Sequence, residues 1–330
     1  MGVSVLLPFM PTGGRQLLPF AEIVQAGSAD RLWTGQSLLI EPHAALAYAA
    51  GAGVRIPIGT SVALMPLRHP FQAALQARSL AALSGHPVVA GLGTGPAPFV
   101  QSLRGSGYAS PLGAVREYAT IVRNLLAGTV VELPGEYYSM GGALPPMNTP
   151  PVELGLGVLR PRMAELAGEL ADVAITWLTP PNYLAEVIVP ALGRGAERAG
   201  RPRPRVAAVV HVSVDDVDRD HVRVIQAASH AHLRAPHYQD MLHRAGVEVN
   251  LDDLAGTAAR LIDSRTAAVG SVDDILRTVA AYRKAGVDEV VISTVGLQAT
   301  GGTSTSLAAL AAITEAASAR PATAGHGSHR

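Results

Sequence analysis

Cysteine is absent from the 330 residues. Its absence excludes disulfides, iron–sulfur clusters, thiolate zinc sites and a cysteine nucleophile. An excess of one charge is also lacking, because 26 Lys and Arg stand against 26 Asp and Glu. The sequence therefore offers no electrostatic footprint for nucleic acid or an anionic membrane. No stretch approaches the ~18 uninterrupted apolar residues of a membrane span. The opening MGVSVLLPFMPTGG has no basic region ahead of its short apolar run, unlike a secretory signal. A soluble, cytoplasmic protein is expected. No Gly-X-Ser-X-Gly elbow, P-loop or nucleophile–base pairing occurs, and Asp215-Asp216 and Asp252-Asp253 read as solvated loop charges. With no evident catalytic apparatus of its own, the chain suits chemistry that belongs to a bound cofactor.

What is present is apolar sequence in short runs: 48% of residues are hydrophobic and only 16% charged, enough for a large core. Continuous apolar runs at 3–8, 31–34, 56–66, 87–93, 152–156, 173–177, 205–214 and 289–294 read as strands. They do not alternate, as expected where helices cover a parallel sheet. Helical spacing occupies 17–26, 42–52, 69–83, 111–126, 161–170, 181–199, 272–284 and 306–319, mostly closed by glycine. Residues 130–138 read as a hairpin or extended excursion. Eight strands alternating with eight helical returns predict a (β/α)8 barrel, a TIM barrel, as one domain over 1–318. Residues 218–265, polar and rich in histidine, form a helical insertion after strand seven, and 319–330 a flexible tail. Chemistry in such a barrel sits at the carboxyl ends of the strands.

Strand three, IPIGTSVALMP, is interrupted by Gly59-Thr60-Ser61-Val62, which invites a bulge where a flat ring can lean. Gly93-Thr94-Gly95 after strand four exposes backbone N–H groups and one hydroxyl. In Gly157-Val158-Leu159-Arg160-Pro161-Arg162-Met163, Pro161 suits the first helical position. Two arginines there oppose the helix dipole unless they share an anion such as a phosphate. The alternative is that Arg160 and Arg162 are solvated or pair with Glu165 or Glu169. Trp177, one of two tryptophans, ends strand six and is a candidate pocket wall or a packed interface aromatic; Trp33 allows the same two readings. His230, His232, His237 and His243 cluster in the insertion without a metal-binding register, and Pro236 interrupts them, so no metal is assigned and they read as solvated or pocket-lining. His211, inside strand seven, reads as buried and hydrogen-bonded.

These segments, with Gly135-Glu136-Tyr137-Tyr138 and Pro161-Arg162-Met163-Ala164-Glu165-Leu166-Ala167-Gly168, resemble the bacterial-luciferase-like oxidoreductases over about residues 3–316. The resemblance implies a (β/α)8 barrel that uses FMN or the deazaflavin coenzyme F420. It implies that the Ser61–Val62 peptide is cis and faces the cofactor ring. Thr60, Ser61, Val62, Gly93, Thr94 and Gly95 would contact the cofactor, and Gly157, Val158, Arg160, Pro161, Arg162 and Met163 would hold its phosphate. Phe9, Met65 and Trp177 are assigned to the substrate. Homodimers are common in the family.

The departures concern the reaction. Relatives that oxidise sugars or alcohols carry an Asp-His pair where this chain has Gly35 and Gln36, and a Glu where it has Pro96. Alcohol oxidation needs a base for the hydroxyl proton, and Gln36 cannot titrate. Gln36 is the candidate catalytic residue, orienting a substrate carbonyl. The expectation is an F420-dependent reductase that delivers hydride to an activated C=C or C=N bond of a small molecule or peptide. Dehydroalanine in a modified peptide is one such acceptor, suited to a large mobile insertion and a nonpolar mouth. An FMN-dependent monooxygenase and a non-catalytic flavin-binding protein are the alternatives.

Overall fold

In the computed structural model, residues 2–320 are described. Eight parallel strands close on themselves: β1 (Ser4–Leu6), β2 (Leu32–Thr34), β3 (Ile58–Thr60), β4 (Val88–Gly93), β5 (Val152–Gly157), β6 (Val173–Trp177), β7 (Arg205–Val214) and β8 (Glu289–Ser293). Neighbours in this order pair in parallel, and β8 returns to β1 through Ser4↔Val291 and Val5↔Ile292. The strands are buried almost throughout because both of their faces are covered. Leu6, Trp33, Val89, Val173, Ile175, Ala207, Val209 and Val291 fill the barrel interior, and a second, larger core lies between the strands and the helices.

The barrel returns are α1 (Leu18–Gln25), α2 (Pro42–Gly51), α3 (Pro70–Ser84), α4 (Pro111–Leu126), α5 (Pro161–Leu170), α6 (Val189–Arg198), α7 (Val272–Lys284) and α8 (Val295–Ser318). Four of them open on proline, whose missing N–H costs nothing at that position. A Cβ on Gly168 would stand 2.2 Å from the Leu192 carbonyl, and one on Gly195 2.0 Å from that of Glu165, so these two glycines let α5 and α6 touch backbone to backbone. Glu165 and Glu169 face Arg194, Arg198 and Arg116. They do not pair with Arg160 or Arg162.

The floor of the barrel is polar. Glu289, 6% exposed, accepts from Ser4 Oγ at 2.6 Å and Trp33 Nε1 at 2.7 Å, with Arg31 and Arg205 at 3.4 and 3.5 Å. Trp33 is thus an interior floor residue and not a wall of a ligand pocket.

Several elements differ from their sequence outline. A helix at Ala97–Arg104 and a short strand at Ala267–Gly270, paired to the far end of β7, add to the expected set. The stretch 181–199 is a short helix, a π turn at Leu184–Ile188 and α6. Helix α8 begins at Val295, ahead of the expected 306, and breaks at Gly302, whose φ of 78° is left-handed. The excursion after α4 is a hairpin of Val131–Leu133 and Met140–Gly142. The Glu117 carboxylate accepts the backbone N–H groups of Glu136, Tyr137 and Tyr138 at 2.8–2.9 Å. Burial works against its ionisation, but those three bonds hold its pKa below the usual glutamate range. The insertion comprises helices His221–Leu233, Pro236–Arg244 and Leu254–Asp263, flanked by Asp218 and Arg265, each with φ of 57°. Of the tail, residues 321–330 lie outside the described residues.

Candidate active site

A cavity of about 560 Å³ opens at the carboxyl ends of the strands. It has two unlike walls.

The first is built by β3, β4 and β5. From Gly59 to Ala63 the chain takes four steps, while their partners Val89 and Leu92 are three apart. The extra residue is a bulge, and the strand resumes at Ala63–Leu64. The Ser61–Val62 peptide within it is cis. Ser61 N–H donates to the Thr34 carbonyl at 2.8 Å, and the Thr60 hydroxyl donates to the Gly91 carbonyl at 2.8 Å. The bulge needs glycine opposite it. A Cβ on Gly91 would lie 1.9 Å from the Thr60 carbonyl oxygen, and one on Gly93 2.5 Å from Val62 Cγ2. Gly157 on β5 lies next to Val62 as well, with a Cβ there 3.5 Å from Val62 Cγ1, so on this wall the bulge side chain faces glycine on both β4 and β5. The Ser61 hydroxyl is buried with no hydrogen-bond partner.

The second wall is aromatic. Trp177 Nε1 donates to His211 Nε2 at 3.3 Å. That nitrogen is then an acceptor, so Nδ1 of His211 carries the proton and donates to Ser293 Oγ at 2.9 Å. The His232 ring stacks on Trp177 with centroids 5.0 Å apart and 26° between planes. Tyr238 meets His232 edge-on at 5.1 Å, and His237 lies tilted against Tyr238 at 4.9 Å. Burial pushes the His211 pKa down to about 3, with His232 a lesser cause. Burial, then His237 and His230, push His232 down to about 4. Both rings are neutral at pH 7. Among the described residues, no Asp, Glu, Lys or Arg lines the cavity.

Of the residues expected at the site, Phe9, Gln36, Ser61, Val62, Gly93, Thr94, Gly95, Gly157, Val158 and Trp177 meet on this cavity. Thr60 does not line it; its hydroxyl is committed to the bulge. Met65 is 1% exposed and packs in the core beneath, not on the cavity wall. Arg160, Pro161, Arg162 and Met163 flank the cavity without lining it. Arg160 caps α5 with no side-chain hydrogen bond and faces Asp240 of the insertion at 3.6 Å. Arg162 is exposed with no partner among the described residues. The Gln36 amide oxygen accepts from Leu64 N–H at 3.1 Å and Arg68 at 3.2 Å, and its NH2 donates to the Ser37 carbonyl at 2.8 Å. His232 and His237 are pocket-lining. Tyr238 escaped the sequence reading; its only signal is adjacency to His237 in the insertion, which does not say which face of the helix docks. Among the described residues no cluster of three or more His, Asp or Glu is placed to hold a metal. No helix there is long and apolar enough to cross a membrane.

A closed parallel barrel with a bulged, glycine-lined wall at the carboxyl ends of its strands defines a class of (β/α)8 proteins. The family of luciferase-like monooxygenases matches residues 4–289, and the chain belongs to it. It is 28% identical over 211 residues to the 5,10-methylenetetrahydromethanopterin reductase of Methanolobus tindarius, covering 63% of this chain and 64% of that one. It is 30% identical over 219 residues to the F420-dependent glucose-6-phosphate dehydrogenase of Microbacterium testaceum, covering 61% and 64%. The chain thus spans a little under two thirds of the length of these two relatives. In three dimensions it is similar to the coenzyme F420-dependent tetrahydromethanopterin reductase of Methanopyrus kandleri, with TM-score 0.72, 21% identity and coverage of 96% and 98%.

Proposed function

We propose that this protein is a coenzyme F420-dependent oxidoreductase that works as a reductase on an activated C=C or C=N bond. The observation that carries the reading is the bulge at Ser61–Val62, seated on Gly91 and Gly93, bearing a buried and unpartnered Ser61 hydroxyl and facing an uncharged cavity. Such a wall fits a flat, largely apolar ring system with polar edges. Ser61, Val62, Gly93, Thr94 and Gly95 would hold the ring and its side chain. Gly157, Val158, the uncapped N–H groups at the start of α5, Arg160 and Arg162 would hold the phosphate. When bound and reduced, the deazaflavin supplies a hydride.

The direction is argued from Gln36. Its amide does not titrate and its oxygen already accepts two hydrogen bonds, so it is no base for the proton of a substrate alcohol. One amide hydrogen remains to orient a substrate. Dehydroalanine in a modified peptide is an acceptor that meets these requirements. The second reading, an FMN-dependent monooxygenase, is supported by the description of the family itself.

Titration of the apoprotein with each cofactor separates the readings. Tight F420 binding and turnover of an activated alkene support the first and eliminate a non-catalytic flavin carrier. Submicromolar FMN binding without F420 binding, and oxygen uptake with reduced FMN, would select the second.

A further inference from the structure

Reducing a C=C or C=N bond requires a proton as well as a hydride, and the expected machinery contains no donor. The cavity restricts the choice. Among the described residues, Asp, Glu, Lys and Arg are missing from its lining, and only His232, His237 and Tyr238 carry ionisable groups there. His232 lies flat on Trp177, and its Nδ1 is buried without a partner. A ring whose pKa burial drives to about 4 carries no acidic imidazolium proton at pH 7. His237 is also shifted down, by burial and then by Arg160. His211 stands behind Trp177 with both nitrogens occupied.

Tyr238 differs from these. Burial raises its pKa, so the hydroxyl stays protonated. That hydroxyl makes no hydrogen bond among the described residues, and Tyr238 is half-buried where it lines the cavity, so the donor is open to a ligand. The ring is held from two sides, by the edge of His232 and by His237. His232 in turn rests on Trp177, which is tied to β7 through His211. The insertion therefore sets one free phenol on the wall opposite the bulge, braced through β6 and β7.

We propose that Tyr238 is the catalytic proton donor, bonding the polar atom conjugated to the accepting bond of an uncharged substrate. This rests on the reductase reading. The hydride, with two electrons from the reduced deazaflavin, forms one C–H bond at the far carbon. The π electrons shift through the conjugated system onto the carbonyl oxygen that Tyr238 bonds. The phenol O–H bond breaks, and its proton forms the O–H bond of an enol. Water at the mouth then protonates the carbon next to the carbonyl as the enol O–H proton returns to water, which forms the second C–H bond. The phenolate is reprotonated by water at the mouth. The substrate is reduced and the deazaflavin oxidised.

The test compares wild type with Tyr238→Phe and His237→Gln. With 2-cyclohexen-1-one and reduced F420, Tyr238→Phe is expected to lower kcat about 100-fold while F420 affinity is unchanged. A solvent deuterium isotope effect on kcat is expected in wild type. Calorimetry with saturated cyclohexanone, which cannot react, is expected to show binding to wild type weakened about 5–10-fold in Tyr238→Phe, the loss of one neutral hydrogen bond. Unchanged kcat and cyclohexanone affinity in Tyr238→Phe would overturn the proposal. So would no cyclohexanone binding to wild type, or a comparable loss confined to His237→Gln. A loss of F420 affinity in Tyr238→Phe would make the residue structural and overturn it equally. Wild type that binds no F420 refutes the reductase reading instead, and the cyclohexanone arm still decides the contact at Tyr238.

Discussion

Trp177 donates its indole N–H to Nε2 of His211 at 3.3 Å, and this bond requires a neutral imidazole. The wall of the cavity is thereby linked to a proton equilibrium inside the barrel. The His211 pKa is about 3 in the folded protein and near 6.5 when unfolded, because burial disfavours the cation. The folded state therefore binds fewer protons than the unfolded state between these values. The stabilisation is complete above pH 6.5 and is lost as pH falls. From pH 6.5 to 4.5 the loss for His211 is roughly 2 kcal/mol. Urea unfolding at both pH values is expected to show it, and His211→Gln is expected to flatten the slope even though it lowers stability throughout.

The strand order was legible because parallel strands buried on both faces leave uninterrupted apolar runs, and glycine or proline punctuates most returns. The bulge was legible because a Gly-Thr-Ser interruption is costly to place inside an ordinary strand. What escaped depends on tertiary contact. The start of α8, Val295 to Thr305, is rich in Gly and Thr, poor helix formers. It is helical in the fold, where Gly296 is so close to the insertion that a Cβ would stand 2.1 Å from the Val224 carbonyl, and Leu297 is fully buried. The helix at Ala97–Arg104 and the four-residue strand at Ala267–Gly270 are short, and short elements carry little periodicity. The aromatic wall was half legible: Trp177 stands at a strand end, whereas Tyr238 is placed only by how the insertion docks.

Gly91 offers a direct test of the bulged wall. Gly91→Ala places a methyl group against the Thr60 carbonyl, at a spacing no side chain tolerates. The backbone of β3 or β4 must shift, at about 1–3 kcal/mol. Thermal unfolding is expected to show that loss, and cofactor titration a parallel loss of affinity. Gly193→Ala is the control. Its Cβ meets nothing within 4 Å, it lies inside α6, and it is expected to add roughly 0.5–1 kcal/mol of stability without affecting the cofactor.

Glu289 probes the barrel floor, far from the cavity. Its carboxylate accepts from Ser4 and Trp33 and faces Arg31 and Arg205. Glu289→Gln keeps the shape but leaves the buried Arg31 guanidinium without its carboxylate, whereas Arg205 keeps Glu153 at 2.7 Å. Breaking such a buried pair costs about 3–5 kcal/mol. A large drop in the urea midpoint is expected, with F420 affinity per folded molecule unchanged. Wild-type stability in the variant would show that the floor is wet enough to screen the arginines.

The two arginines at the start of α5 are expected to separate. Arg160 already faces Asp240 of the insertion, whereas Arg162 is exposed and unengaged among the described residues. A phosphate at this helix start gains most from the arginine that has no partner to give up. Arg162→Ala is therefore expected to weaken F420 or FMN binding by about 1–3 kcal/mol, the worth of a charge-assisted bond. Arg160→Ala also removes a partner of Asp240, which stays paired with Arg244 at 3.0 Å, so a smaller loss than for Arg162→Ala is expected. Riboflavin, which has no phosphate, supplies the check if FMN binds: its affinity should be the same for wild type and Arg162→Ala. An unchanged affinity for the phosphorylated cofactors in Arg162→Ala would leave this arginine as surface charge and move the phosphate to the backbone N–H groups of the helix.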